Sequence, residues 1–369
     1  MALTNFAALT DEQKTAWSMD IWKIARNTSF LAAFAGDASA MVHRVNELTQ
    51  SEKGTRAVMT LVNDAQGDGV AGDNTLEGNE EALTSDEQVI RVDMLRHAHR
   101  SKGRMSEQKS IINFRKEARD TLGYWLSDRW DQMGILTLSG VAYSNKNSGG
   151  TRTGSQLVDL EFAADVTAPS ANRITRYDAT DGLLVNGAAA LANTNLVAAD
   201  TPTWRMLVDL KAYAVSQYLR PIRTESGVLM YVVIMSPFGI AALKRDSDFL
   251  NAWRHAQERG ASNPLFKGTG HGATGIYVDG LAIYEFRHIY SGTSIMASGV
   301  RTQRVLFCGA QALGMADIGA PKWVEKDFDY ENQQGISTGK ICGFKKPVFQ
   351  TPVTNTAEDY GVIVCDTAC

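Results

Sequence analysis

The spacing of apolar and polar residues along this chain predicts a mixed α+β protein. Residues 56–63 (R-A-V-M-T-L-V-N) and 88–99 (Q-V-I-R-V-D-M-L-R-H-A-H) read as the two strands of a long hairpin. An isolated two-stranded ribbon is marginal in water, so this hairpin calls for contacts from elsewhere. Residues 106–138 then read as one unusually long helix. Ile111, Phe114, Ala118, Leu122, Trp125, Met133 and Leu136 fall along one stripe, and Arg115, Lys116, Glu117, Arg119 and Asp120 lie mostly off it. Such a helix would measure roughly 50 Å at ~1.5 Å per residue, the width of a whole domain.

The flanking segments are less even. Residues 10–34 have an amphipathic helical pattern, with Thr10 and Gln13 placed as a capping box and Gly36 as the stop. Trp17 and Trp22 in this segment either pack on the chain's own core or anchor an arm on a neighbouring subunit. Residues 41–63 look extended, with a break at Gly54. Residues 144–155 form a polar connector, and the stretch up to 203 reads as an irregular insertion. A helix over 204–219, closed by Pro221, precedes a continuous apolar strand over 227–235. Ser236 with Pro237 marks the start of a further helix. Asp279-Gly280 marks a hairpin turn within 275–286. Residues 304–315, 323–330 and 361–366 read as additional strands.

Charge adds one feature to this pattern. The 369 residues carry 37 Lys+Arg against 41 Asp+Glu, a net −4, which argues against a dedicated nucleic-acid binder. The charges are locally segregated, however. Residues 64–87 hold Asp64, Asp68, Asp73, Glu77, Glu80, Glu81, Asp86 and Glu87 without one Lys or Arg. The end of the second strand and the residues that follow it hold Arg96, His97, His99, Arg100, Lys102 and Arg104. Like charges this dense repel one another unless a partner neutralises them.

Catalytic signatures are missing. The glycine run 268–275 (G-T-G-H-G-A-T-G) precedes a strand rather than a helix and lacks a closing Lys-Ser/Thr pair, so it reads as a surface loop. Asp64, Asp68 and Asp73 approach a calcium loop, but Gln66 and Thr75 occupy positions that need ligands. His97 and His99 share a strand face without a nearby acid or thiol. Cys308, Cys342, Cys365 and Cys369 follow no disulfide framework or zinc spacing, and reduced thiols are expected. No G-x-S-x-G elbow or H-E-x-x-H helix occurs. The reading is of a protein that is not an enzyme and has no cofactor or metal. The first residues lack a signal-peptide pattern and no apolar run spans a bilayer, so no membrane association is expected.

Four stretches carry a resemblance: D-I-W-K-I-A-R-N-T-S-F (20–30), G-D-G-V-A-G-D-N-T-L-E-G-N-E-E (67–81), R-H-A-H-R-S-K-G-R-M (96–105) and S-D-R-W-D-Q-M-G-I-L-T-L-S-G (127–140). With the order of elements, they make the chain resemble the major capsid proteins of tailed phages, which share the Hong Kong 97-type fold, and within these the coliphage N-four-like family. The resemblance covers essentially the whole chain. It implies an N-terminal arm (1–54), an extended hairpin loop (55–105), a peripheral domain with its spine helix and an insertion (106–202), an axial domain (203–318) and C-terminal strands returning to the peripheral domain (319–369).

The function implied is structural. Hexamers and pentamers would build an icosahedral shell around packaged double-stranded DNA, assembled in the host cytoplasm with portal and scaffolding proteins, with or without a decoration protein. A Lys–Asn weld known in some such shells would need Lys102 or Lys109, because the acidic loop has no lysine; it is not expected. A separate scaffold is expected, since no long helical extension precedes the arm. The intersubunit contact candidates are Trp17, Trp22, Asp73, Glu77, Glu80, Glu81, Arg96, Arg100, Lys102 and Arg104, with the acidic loop of one subunit lying on the basic run of the next. The alternatives are an encapsulin-type compartment, or an enzyme using the glycine run or the Asp64/Asp68/Asp73 set.

Overall fold

The computed structural model describes residue 20 and residues 29–45, 54–62, 67–81, 85–109, 114–185, 193–223, 227–251, 276–350 and 356–369. Trp17, Trp22, Asp64, His255, His271 and the 268–275 glycine run lie outside the described residues, as does most of the helix expected over 10–34.

In chain order, a 3-10 turn (Leu31–Phe34) leads to β1 (Ala35–Gly36) and β2 (Val42–Val45). The strands β3 (Arg56–Val62) and β4 (Ser85–Arg91) form the hairpin, and β5 (Asp93–Arg100), α1 (Arg104–Gln108) and α2 (Phe114–Ser139) follow. Next come β6 (Ile174–Asp178), β7 (Gly182–Leu184), α3 (Trp204–Ser216), β8 (Ile222–Arg223), β9 (Leu229–Met235) and α4 (Pro237–Leu243). The remainder is all strand: β10 (Ile276–Val278), β11 (Leu281–Glu285), β12 (Ser291–Thr293), β13 (Arg301–Cys308), β14 (Leu313–Phe328), β15 (Gln333–Lys345), β16 (Val348–Gln350), β17 (Ala357–Asp359) and β18 (Val362–Ala368).

Two sheets share α2. One has the order β1-β2-β14-β15-β5, and the other runs β10-β11-β9-β13-β18-β6-β7, with β8 and β12 on its flank. Strand alternation sorts the second sheet's side chains to two faces. Val232, Ile234, Leu306, Cys308, Val362 and Val364 join Trp130, Met133, Ile135, Leu136 and Leu138 of α2. Tyr231, Val233, Met235, Phe307, Ile363 and Cys365 pack on α3 and α4 instead. The N-terminal half of α2 lies on the first sheet, where Ala118, Leu122 and Leu126 meet Trp323 and Ile336. The C-terminal half of α2 is therefore buried on all sides, which is why its residues 133–139 do not follow a single stripe.

Several local expectations hold. The Ser236 hydroxyl caps α4 with Pro237 in its first turn, and α3 begins at Trp204 as expected, capped by the Thr203 hydroxyl accepting the Met206 N–H. Asp279 and Gly280 both have positive φ, 48° and 72°, as a two-residue hairpin turn requires.

Other expectations are corrected. The strand expected over 88–99 is two strands separated at Val92. β4 pairs with β3, and β5 pairs with β15 along Asp93–Arg100. The basic strand thus obtains its partner within the same chain, and only the part from β3 to β4 stands as a two-stranded ribbon. Of the helix expected over 106–138, the described residues show α1 ending at Gln108 and α2 over Phe114–Ser139, whose 26 residues span about 39 Å. The strand expected over 304–315 is divided as well, because β13 and β14 belong to different sheets. The segment after Ser144 is not a loose connector. Asn145 bridges Thr151, and the Asn147 side chain is buried and donates to the His288 carbonyl. The insertion enters the second sheet through β6, which runs parallel to β18. It brings in Arg173 and Arg176, each 1% exposed, with Arg176 paired to Asp200 at 3.3 Å and Arg173 to Glu358 at 3.5 Å.

Candidate assembly surfaces

The register of β14, β15 and β5 decides where each basic residue points. Trp323, Glu325, Ile336, Thr338, His97 and His99 lie on the face turned to α2. Alternation then places Lys322, Val324, Lys326, Gly335, Ser337, Gly339, Met94, Arg96, Ala98 and Arg100 on the opposite, open face. Lys322, Lys326, Arg96 and Arg100 are all exposed there, and the strand residues sharing this face include no Asp or Glu. None of the four forms an ion pair among the described residues. Arg100 and Lys326 instead flank the Phe328 ring, 4.2 Å and 5.1 Å from its centroid. Glycines floor the patch: a Cβ on Gly339 would stand 2.8 Å from Arg96 Cγ, so Arg96 lies flat across that position. Val324, 54% exposed, adds an apolar centre.

The basic run of the sequence is thereby divided by function. Arg96 and Arg100 belong to the open face. His97 stacks on Trp125 of α2 at 4.6 Å and meets His99 at 5.4 Å. Burial, then the neighbouring His99 and Arg129, holds the His97 pKa below its ordinary value. Lys102 is exposed beyond the strand, where its carbonyl accepts the Gln333 amide. Arg104 lies 3.8 Å from Glu331 at the β14–β15 turn, an exposed pair of little energetic weight. Lys322 and Lys326 belong to the same surface, and sequence reading missed them because they lie over two hundred residues from Arg96 in the chain.

The opposite charge sits at the far end of the β3–β4 hairpin. Residues 67–81 are exposed almost throughout, with Asp68, Asp73, Glu77, Glu80 and Glu81 in turns and coil. Glu81 accepts the Gly67 N–H at 2.8 Å and Glu80 the Gly78 N–H at 2.7 Å, so these two carboxylates shape the loop itself. Asp73 and Glu77 have no such role in the loop's backbone. Among the described residues no group of His, Cys, Asp and Glu is arranged to hold a metal ion, and no helix is long and apolar enough to cross a membrane. Cys308, Cys342 and Cys365 are buried free thiols, and burial pushes the Cys342 and Cys365 thiols up to about 12.

The exposed acidic loop and the acid-free basic sheet face are thus opposite in charge. The model of a family described as phage capsid protein matches residues 5–369. The chain belongs to the phage capsid protein family. It is 51% identical over 370 residues to the major capsid protein of Pseudomonas phage KPP25, covering 98% of this chain and 96% of that one. The capsid of Ralstonia phage GP4 is similar in structure, with a TM-score of 0.71 and 25% identity over 93% of this chain and 91% of that chain. The Cyanophage Pam1 capsid matches with a TM-score of 0.67 at 19% identity, over 99% of both chains, a likeness of fold. This capsid protein is therefore a structural subunit that forms a phage shell and is part of the virion. Its mixed helix-and-sheet architecture is that of the phage capsid proteins it resembles.

Proposed function

We propose that this capsid protein has the Hong Kong 97-type fold in its N-four-like form and assembles as hexamers and pentamers into an icosahedral shell around packaged double-stranded DNA. In this reading residues 1–54 are the arm, 55–105 the extended loop, 106–202 the peripheral domain, 203–318 the axial domain and 319–369 the returning strands. Assembly takes place in the host cytoplasm with separate scaffolding and portal proteins.

The observation that carries the mechanism is charge segregation in one subunit. The acidic ribbon, with Asp73 and Glu77 among its exposed carboxylates, lies on the open face formed by Arg96, Arg100, Lys322 and Lys326 of an adjacent subunit. Complementary patches of this kind steer encounter and fix register. Each contact is weak, but a subunit that makes several at once is held far more firmly than by any one. Reversing Asp73 and Glu77 to Lys leaves the loop's own Glu80 and Glu81 bonds in place. That variant should yield few closed particles by sedimentation and electron microscopy at low ionic strength. Assembly equal to the native chain across a salt series would rule the contact out.

A further inference from the structure

Asp131, on the buried side of α2, is 3% exposed and is bonded to three consecutive residues a hundred positions earlier. Its Oδ1 accepts the Ser29 hydroxyl at 2.7 Å and the Leu31 N–H at 3.1 Å, and its Oδ2 accepts the Phe30 N–H at 2.8 Å. One side chain of the long helix thus satisfies the free N–H groups that open the Leu31–Phe34 turn. This root of the N-terminal segment is also packed. Phe30 stacks on Phe286 at 4.3 Å, Phe34 meets Tyr284 edge-on at 5.0 Å, and Leu31 is fully buried. Seating of the root therefore ties α2 to β11 and the chain that follows it.

Among the described residues no cation pairs with the Asp131 carboxylate. On its own helix the charged neighbour acting on it is Asp128. On the segment after β11, Arg287 and His288 are turned to Asp128, at 2.9 Å and 2.7 Å. From β11, the Tyr284 hydroxyl is shared with Tyr277. Residues 29–36 contain no titratable side chain. Burial and a neighbouring carboxylate both disfavour ionisation of Asp131, and the three donors from residues 29–31 offset that only in part.

We propose that Asp131 is a proton-linked latch for the root of the N-terminal arm, seating residues 29–34 more firmly on the long helix as the pH falls and loosening them toward neutrality. The Asp131 carboxyl is raised to about 6: burial lifts it most, the bonds from Ser29, Phe30 and Leu31 pull the other way, and Asp128 adds to the rise. With the root withdrawn, water reaches the carboxylate and its pKa returns toward the ordinary 3.8. The seated state holds the proton more tightly, so the stabilisation is complete below the lower value and is lost as the pH rises through the upper one. Between pH 5 and pH 8 the seating equilibrium weakens about tenfold.

Hydrogen exchange on assembled shells, followed by mass spectrometry of the peptide covering residues 29–36 and corrected for chemical exchange, tests this. Protection of the Phe30 and Leu31 amides should fall about tenfold from pH 5 to pH 8, and in Asp131→Asn it should not depend on pH. Protection in the native chain that is constant or rises with pH overturns the proposal. If Asp131→Asn does not assemble, Ser29→Ala decides. It removes a donor that favours the ionised form, so the midpoint must move to higher pH, and an unmoved midpoint overturns the latch.

Discussion

Leu31 occupies the space that Gly134 leaves open on the long helix: a Cβ on Gly134 would stand 2.2 Å from Leu31 Cδ1. Leu31 is 1% exposed and enclosed by the main core, so it has nowhere to retreat. Glycine in a helix ordinarily costs about 1 kcal/mol relative to alanine, so Gly134→Ala should stabilise an unpacked helix. Here overpacking of about 1–3 kcal/mol outweighs that gain. Gly134→Ala should lower the calorimetric unfolding temperature, and adding Leu31→Ala should cost less than the sum of the two single changes. A rise in unfolding temperature for Gly134→Ala would contradict this packing.

Arg304 closes a second junction. It forms a two-pronged pair with Asp366 at 2.8 Å and 2.9 Å, across β13 and β18, and donates to the Ser139 carbonyl at the end of α2 at 2.7 Å. Asp366 is wholly buried, so Arg304→Ala strands a charge and should cost about 3–5 kcal/mol. Replacing both partners, Arg304→Met with Asp366→Leu, should recover most of the loss, as read by denaturant midpoint. A double variant no better than the single one would show that the Ser139 bond, and not the stranded charge, dominates.

The open basic face predicts a compensation. Lys322→Glu with Lys326→Glu should reduce shell yield at low salt, and combining it with Asp73→Lys and Glu77→Lys should restore part of it. Exposed pairs contribute about 1 kcal/mol or less each, so the effect rests on repetition through the shell. Substituting His97 and His99 by Asn should leave yield unchanged, because both face α2. Equal loss for the histidine and lysine variants would remove the distinction between the two faces.

His288 predicts a pH dependence of opposite sign to that of Asp131. Burial holds its pKa below 6.5, against the pull of Asp128, with Arg287 lowering it further. The unfolded chain therefore takes up a proton that the folded chain resists. Stability is retained above pH 6.5 and is lost as the pH falls through that value. In an Asp131→Asn background, where the opposing titration is gone, the unfolding temperature should drop between pH 7 and pH 5. Adding His288→Asn should flatten this drop, and a drop that persists unchanged would assign it to another group.

The sequence was most informative where one local cause decides the structure. The β9 strand is legible because it is a continuous hydrophobic run of which five residues are buried, and its successor helix because Ser236 and Pro237 mark a helix start. Strand β15 escaped notice for the opposite reason. Gly335, Gly339 and Gly343 interrupt any strand pattern, and Lys340 between them is 1% exposed, lying 2.5 Å from Asp317 and 5.3 Å from the Trp130 ring. Its burial depends on partners far along the chain. Likewise the apolar pattern runs without interruption through Val92, and only the identity of the neighbouring strands shows that the chain changes sheets there.

By itself the sequence determined the element types, the absence of known catalytic motifs, the concentration of acid in one loop and base after one strand, and, through four stretches of residues, a phage capsid family. Tertiary structure alone decided which charges act together. Period-two alternation assigns Arg96 and His97 to opposite faces, but only register with β15 and β14 says which face is open and adds Lys322 and Lys326 to it. Asp131 is the same case. Nothing near it in sequence marks a helical aspartate as the partner of residues 29–31 a hundred positions earlier, because its burial and its three donors exist only after the chain has closed on itself.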